Sequence, residues 1–104
     1  MNHLANLYNN QGRYVEAEPL YLRALRIREQ QLGPESEGIA QILHDFAGFW
    51  QVQGHLQEAV RLYQQALLIR EHVLGADHPM TVVTCNYLQE ELLALHQLKG
   101  ATMQ

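Results

Sequence analysis

One stretch of this sequence occurs twice, 42 residues apart. Gly12, Glu16, Ala17, Leu20, Tyr21, Ala24, Leu25, Ile27, Arg28, Glu29, Leu32 and Gly33 return as Gly54, Glu58, Ala59, Leu62, Tyr63, Ala66, Leu67, Ile69, Arg70, Glu71, Leu74 and Gly75. Residues 1–36 laid on 43–78 give 14 identities in 36. A fixed period of this size is the mark of an array in which each unit is one supersecondary element stacked on the next. The repeat therefore constrains the architecture before any single residue does.

Inside each repeat the apolar residues recur at spacings of three and four, the period of a helix with one packed face. Residues 2–11 are predicted to form a first helix, with Leu4, Leu7, Tyr8 and Gln11 on one side, Ala5 beside them and Gly12 as its end. A second helix over 14–31 packs Tyr14, Ala17, Leu20, Tyr21, Ala24, Leu25 and Leu32. Pro19 falls in its first turns, and Gly33-Pro34 closes it. A third, over 37–53, starts on Ser36 as cap and packs Ile39, Leu43, Phe46, Ala47 and Trp50, with Phe49 packed as well; Gly54 ends it. A fourth over about 56–73 repeats the second and ends at Gly75. A fifth opens at Asp77-His78-Pro79, with His78 as cap and proline at the first helical position, and is expected to stop at Gly100. In this last helix identity to the earlier repeats nearly vanishes, and offsets of 42 and 46 both remain open.

The remaining properties exclude several classes. A net charge of −4 and scattered cations give no basic stripe of the kind that binds nucleic acid. No apolar run approaches the roughly 18 residues needed to cross a membrane. No basic segment and apolar core follow Met1, so no signal peptide is visible, and with a single cysteine the default compartment is the cytoplasm.

The residues Leu4-Ala5, Tyr8, Gly12, Tyr14, Ala17, Tyr21, Ala24 and Leu25 resemble the signature of the tetratricopeptide repeat (TPR). Phe46-Ala47, Trp50, Gly54, Leu56, Ala59, Tyr63, Ala66 and Leu67 resemble it again. The 42-residue period, the tails Ala24–Gly33 and Ala66–Gly75, and the turn Gly75-Ala76-Asp77-His78-Pro79 are similar to the longer repeats of kinesin light chains and of many bacterial multi-repeat proteins. Ser36 and Glu37 depart from that subclass, and the third repeat departs most. The resemblance implies an all-α helical-hairpin solenoid: five antiparallel helices in about two and a half repeats. Repeat 1 would span about 1–35, repeat 2 about 36–77, and a half repeat or capping helix about 78–100. Small Ala5, Ala17, Ala24, Ala47, Ala59 and Ala66 would let helices approach, and Tyr8, Tyr21, Trp50 and Tyr63 would fill the spaces between them.

In proteins of this kind the first helix of each repeat lines a concave groove that receives a peptide. Here that face carries Asn2, Asn6 and Asn9 on the first helix, Gln41, His44, Gly48 and Gln51 on the third, and Asn86 and Glu90 on the fifth. Side-chain amides suit the task because each offers both a donor and an acceptor to an extended backbone. Val52 and Leu93 are candidate apolar anchors, and the bland alternative is a solvated polar face. The first and third helices carry no Lys or Arg, which argues against clamping of a carboxylate.

Catalysis is not expected, nor a cofactor. Six histidines fall at different phases of the repeat with no pair four apart, so no metal site is expected. Cys85 aligns with Leu43 and is expected to be a buried small hydrophobe rather than a reactive thiol. Glu90 and Glu91 are adjacent and would point about 100° apart on a helix. The repeated Arg28-Glu29 and Arg70-Glu71 pairs, with Arg26, are expected to support repeat stacking by ion pairs, worth at most about 1 kcal/mol each if exposed, with an outer surface for a partner as the alternative. The expected function is binding of a protein or peptide partner, as the sensor or scaffold portion of a larger protein. The alternative is self-association into a homo-oligomer through the open repeat ends, domain swapping included.

Overall fold

A computed structural model describes residues 2–33 and 36–102, with the side chains of Asn2, Leu32 and residues 99–102 outside that description. Five helices follow one another: α1 (Asn2–Asn10), α2 (Tyr14–Leu32), α3 (Glu37–Val52), α4 (Leu56–Val73) and α5 (Pro79–Thr102). Among the described residues there is no strand, and no helix is long and apolar enough to cross a membrane. Helix α1 pairs with α2 and α3 with α4, while α2 packs on α3 and α4 on α5. Helix α1 also touches α3, so the first helices of successive repeats lie side by side.

The turns follow from the glycines. Gly12, Gly33, Gly54 and Gly75 all have positive φ, between 75° and 92°, where a side chain is strained. At Gly12 and Gly54 the next residue reaches back five positions, Arg13 N to the Tyr8 carbonyl at 2.8 Å and His55 N to the Trp50 carbonyl at 3.0 Å. That closure satisfies carbonyls the helix end would leave orphaned and reverses the chain into the second helix. The expected stop at Gly100 does not occur, because α5 runs through it to Thr102. Glycine costs a helix about 1 kcal/mol relative to alanine. It ends the helix only where the chain also turns back. Pro34 lies outside the described residues.

The starts are equally local. Ser36 Oγ accepts a hydrogen bond from Ile39 N at 3.2 Å and caps α3. His78 Nδ1 accepts one from Met80 N at 3.1 Å and caps α5. Pro19 lies in the second turn of α2, where its missing N–H leaves the Val15 carbonyl unpaired; Val15 is 86% exposed, so water can take that role.

The core is the repeat in three dimensions. All six small alanines named above are buried, and against them lie Tyr21, Phe46 and Phe49. Tyr21 stacks on Phe46 with ring centroids 5.1 Å apart, and Tyr14 meets Phe49 edge-on at 5.9 Å. Helices α3 and α5 start 42 residues apart, and buried Ile39, Ile42, Phe46 and Phe49 are matched by buried Thr81, Thr84, Leu88 and Glu91. Offset 42, not 46, is therefore the register of the third repeat.

Three sequence expectations fail for one reason, the absence of a packed neighbour. Leu4 and Leu7 are 42% and 50% exposed, although their equivalents Phe46 and Phe49 are core. Phe46 and Phe49 pack on α2, and no described helix stands in that place beside α1. Cys85 is half-buried rather than core, because α4 covers Leu43 and nothing described covers the matching face of α5.

Arg70 has the expected stacking role, but from within the core. Its side chain is 0% exposed. The guanidinium donates to both oxygens of Glu37, to Gln41 Oε1 at 2.8 Å and to Thr84 Oγ1 at 2.7 Å. Thr84 Oγ1 in turn lies 3.2 Å from the Met80 carbonyl. Arg70 thus ties α3 and α5 to α4. Arg28, at the same repeat position, is exposed.

Candidate functional site

Where α1, α3 and α5 lie side by side, an open cleft of about 490 Å³ runs along their common face. Five of the predicted residues line it: Asn6 and Asn9 from α1, and His44, Gly48 and Gln51 from α3. Val52, the predicted anchor, lines it too. Asn86 and Glu90 line a neighbouring depression of about 400 Å³, with Val83. Tyr87, which is 40% exposed, borders both cavities. Gln41 does not line either one: its amide is spent below, accepting from Arg70 and donating to Asp45 Oδ1 at 3.0 Å. Leu93 is exposed but lines neither cavity, and the side chain of Asn2 lies outside the described residues.

Four lining residues besides Val52 were not anticipated: Asn10, Asp45, Tyr63 and Tyr87. Asp45 and Tyr87 share one repeat position, a single residue beyond the phase of His44 and Asn86. The predicted face was drawn too narrow. Tyr63 belongs to α4, and its phenol reaches the cleft beside Gly48.

The floor of the cleft is a continuous polar network. Tyr21 Oη donates to Asn6 Oδ1 at 2.5 Å, and Asn6 Nδ2 donates to Asp45 Oδ2 at 3.1 Å. Asp45 connects through Gln41 to Arg70, and Arg70 through Thr84 to His44 Nδ1, 3.3 Å from Thr84 Oγ1. On the far side Tyr63 Oη donates to Gln51 Oε1 at 2.7 Å. His44 stands edge-on to Tyr63 and Tyr87, both at 5.1 Å, and those two tyrosines stack on each other at 5.6 Å. All five helices contribute, so the lining is held by packing rather than left mobile.

The electrostatics follow from that burial. Tyr21 is pushed up to about 12, first by desolvation and then by the Asp45 charge, with a bond from Asn9 opposing. Tyr63 is raised further, by burial first and then by Glu91, Tyr87, Asp45 and Glu90. His44 is lowered, because burial and then Arg70 disfavour its cation more than Asp45 and Glu37 favour it. A neutral imidazole and the neutral Tyr63 phenol therefore face the cleft at neutral pH, above the buried phenol of Tyr21. Asn9 Oδ1 is buried with no hydrogen-bond partner.

Gly48 is helical and partly exposed, and a Cβ there would meet only Tyr63 Oη, at 3.8 Å. That is ordinary contact, so Gly48→Ala should stabilise the fold by about 0.4–1 kcal/mol through the entropy of the unfolded chain. Thermal melting checks this, and a lower midpoint would mean the helix strains to accept the methyl group.

Among the described residues no group of three His, Cys, Asp or Glu side chains could hold a metal ion. What the cleft offers is recognition: amides, a carboxylate, stacked aromatic faces and one apolar side chain on a rigid floor.

Comparison with known proteins agrees with this geometry. One family model, described as tetratricopeptide repeat, matches residues 1–48, and a second of the same description, typical of kinesin-light-chain-like repeats, matches 39–79. No curated protein matches the chain. Repeats of this kind mediate protein–protein interaction rather than catalysis. With two consecutive matches, a 42-residue period and the helical-hairpin stack they describe, the chain belongs to the tetratricopeptide repeat family.

Proposed function

We propose that the face shared by α1, α3 and α5 is a groove that receives an extended peptide segment of a protein partner, as part of a larger scaffold or signalling protein. The observation that carries this reading is the cleft of about 490 Å³ above the network. Its side chains are held in place before any partner arrives, so little ordering entropy is lost on binding. Amides of Asn9 and Gln51 would meet backbone groups of the peptide, and Val52, largely exposed, would cover an apolar side chain.

The test is a peptide selected from a random library against the intact chain. Gly48→Leu fills the cleft and Val52→Asp charges its wall. Each is expected to weaken binding about tenfold, roughly 1.4 kcal/mol. Val15→Asp, on the exposed side of α2, should leave affinity unchanged. A selected peptide that ignores both cleft variants would place the binding surface elsewhere.

A second reading has its own observation. On α5 the residues Val82, Cys85, Gln89 and Leu92 correspond to buried Ala40, Leu43 and Ala47 and half-buried Trp50 of α3, yet Val82 and Leu92 are exposed. Self-association through this face would cover them. Molar mass by light scattering across a concentration series decides: a dimer broken by Leu92→Glu supports it, and a monomer throughout removes it.

A further inference from the structure

The Thr84 hydroxyl has a single hydrogen to give. Two acceptors lie within its reach, the Met80 carbonyl at 3.2 Å and His44 Nδ1 at 3.3 Å. The carbonyl is already supplied twice. It takes the N–H of Thr84 itself, four residues on in α5, as a helical carbonyl does. It also takes Arg70 Nη1, at 3.4 Å. A carbonyl oxygen has two lone pairs, so His44 Nδ1 is the acceptor left for the hydroxyl hydrogen.

The charges agree. Arg70 Nη1 donates to Thr84 Oγ1 at 2.7 Å, which polarises the hydroxyl toward its own acceptor. A guanidinium one hydroxyl away favours a lone pair on Nδ1 over an N–H. Burial and then that same cation lower the pKa of His44, and Asp45 and Glu37 oppose them less. A neutral imidazole carries one N–H, and with Nδ1 accepting, that hydrogen sits on Nε2. Among the described residues the side-chain atoms buried without a partner are Asn9 Oδ1 and Glu91 Oε2. His44 Nε2 is neither, makes no hydrogen bond to a described residue and belongs to a ring that lines the cleft, so it is open to that space.

We propose that Arg70 and Thr84 hold His44 as its Nε2–H tautomer, and that this N–H donates to a backbone carbonyl of the peptide in the groove. This rests on the reading of the cleft as a peptide groove and names one contact of its occupant. The acceptor is a neutral carbonyl rather than a carboxylate, because Asp45 lines the cleft and no lysine or arginine does. Arg70 and Thr84 are positioning residues, and His44 alone of the three touches the ligand.

Nitrogen-15 spectra of the imidazole rings in the intact protein at neutral pH read the tautomer directly, with His44→Phe identifying the His44 signals. The expected result is a protonated Nε2 and a bare Nδ1. Thr84→Val should lose this preference and Thr84→Ser should keep it. A bare Nε2 in the wild type overturns the proposal and leaves the groove standing, whether or not the Thr84 variants fold. The peptide selected from the random library then tests the contact, and its binding should move the Nε2–H proton downfield. His44→Phe keeps a ring between Tyr63 and Tyr87 but has no N–H, and should weaken binding about fivefold, as for one neutral hydrogen bond. His44→Gln, whose amide nitrogen can stand where Nε2 stood, should recover most of that loss. An unmoved Nε2–H proton in a complex that Gly48→Leu still weakens overturns the contact and leaves the groove. A peptide indifferent to Gly48→Leu and Val52→Asp overturns both.

Discussion

Arg70→Ala is expected to destabilise the fold by about 3–5 kcal/mol, the cost of breaking a buried ion pair from one side. The guanidinium has no exposure, and its removal leaves Gln41 Oε1 and the Thr84 hydroxyl without their donor and the part-exposed Glu37 without its cation. A domain of this size has only about 5–15 kcal/mol in total. The loss should fall first on α5, which Arg70 holds through Thr84 and which packs chiefly on α4. Arg28→Ala, the same substitution at the same repeat position, is expected to stay within about 0.5 kcal/mol, because Arg28 is exposed. Urea unfolding of both variants gives the comparison, and hydrogen exchange along α5 gives its location. A double change, Arg70→Leu with Glu37→Leu, should recover most of the loss, since an apolar pair need not be desolvated at a cost. Equal effects at the two arginines would mean that the network contributes nothing beyond an ordinary surface pair.

The contrast between Arg28 and Arg70 also marks how far the sequence could be read. Identical residues at identical phases are legible as a repeat, and the buried alanines, the stacked aromatics and the four positive-φ glycines all follow from that phase. What differs is the partner. Glu37, Gln41 and Thr84 surround Arg70, whereas Ile42, 42 positions before Thr84, offers Arg28 no acceptor side chain. The same logic misplaces Leu4, Leu7 and Cys85, where the phase is right and the neighbour is missing. In the cleft, the helical phase correctly brings Asn6, Asn9, His44, Gly48 and Gln51 together. It misses Asp45 and Tyr87 because a groove between parallel helices is wider than one row of positions. It misses Tyr63 because that residue reaches the site from α4, outside the row of first helices.

Glu91→Met is expected to raise stability at neutral pH by about 1–3 kcal/mol, with Glu91→Gln giving a smaller gain, since a carboxylate oxygen buried without a partner is costly. Glu91 occupies the repeat position of Phe49, is 5% exposed, and its Oε2 meets no donor. Burial first, and then the charge of Glu90 on the same helix, push its pKa above the ordinary 4.5. Across from it on α4 stands Tyr63, whose phenol stays neutral because its own pKa is raised. The sign follows: the folded state holds a proton that the unfolded chain releases near 4.5, so this contribution is complete below that pH. It is lost as pH rises through the folded pKa, by at most about 1.4 kcal/mol per pH unit within that window. The difference between wild type and Glu91→Gln in urea unfolding should therefore widen from pH 4.5 upward and then level off. Parallel pH profiles would show that Glu91 ionises at no cost in the folded state. The consequence reaches the cleft through α5, which carries both Glu91 on its packed side and Asn86, Tyr87 and Glu90 on its open side. Raising pH through this window loosens the helix that presents the open side of the cleft. Affinity for a peptide held in the cleft should therefore fall in wild type as pH rises through this window, whereas Glu91→Met should hold its affinity.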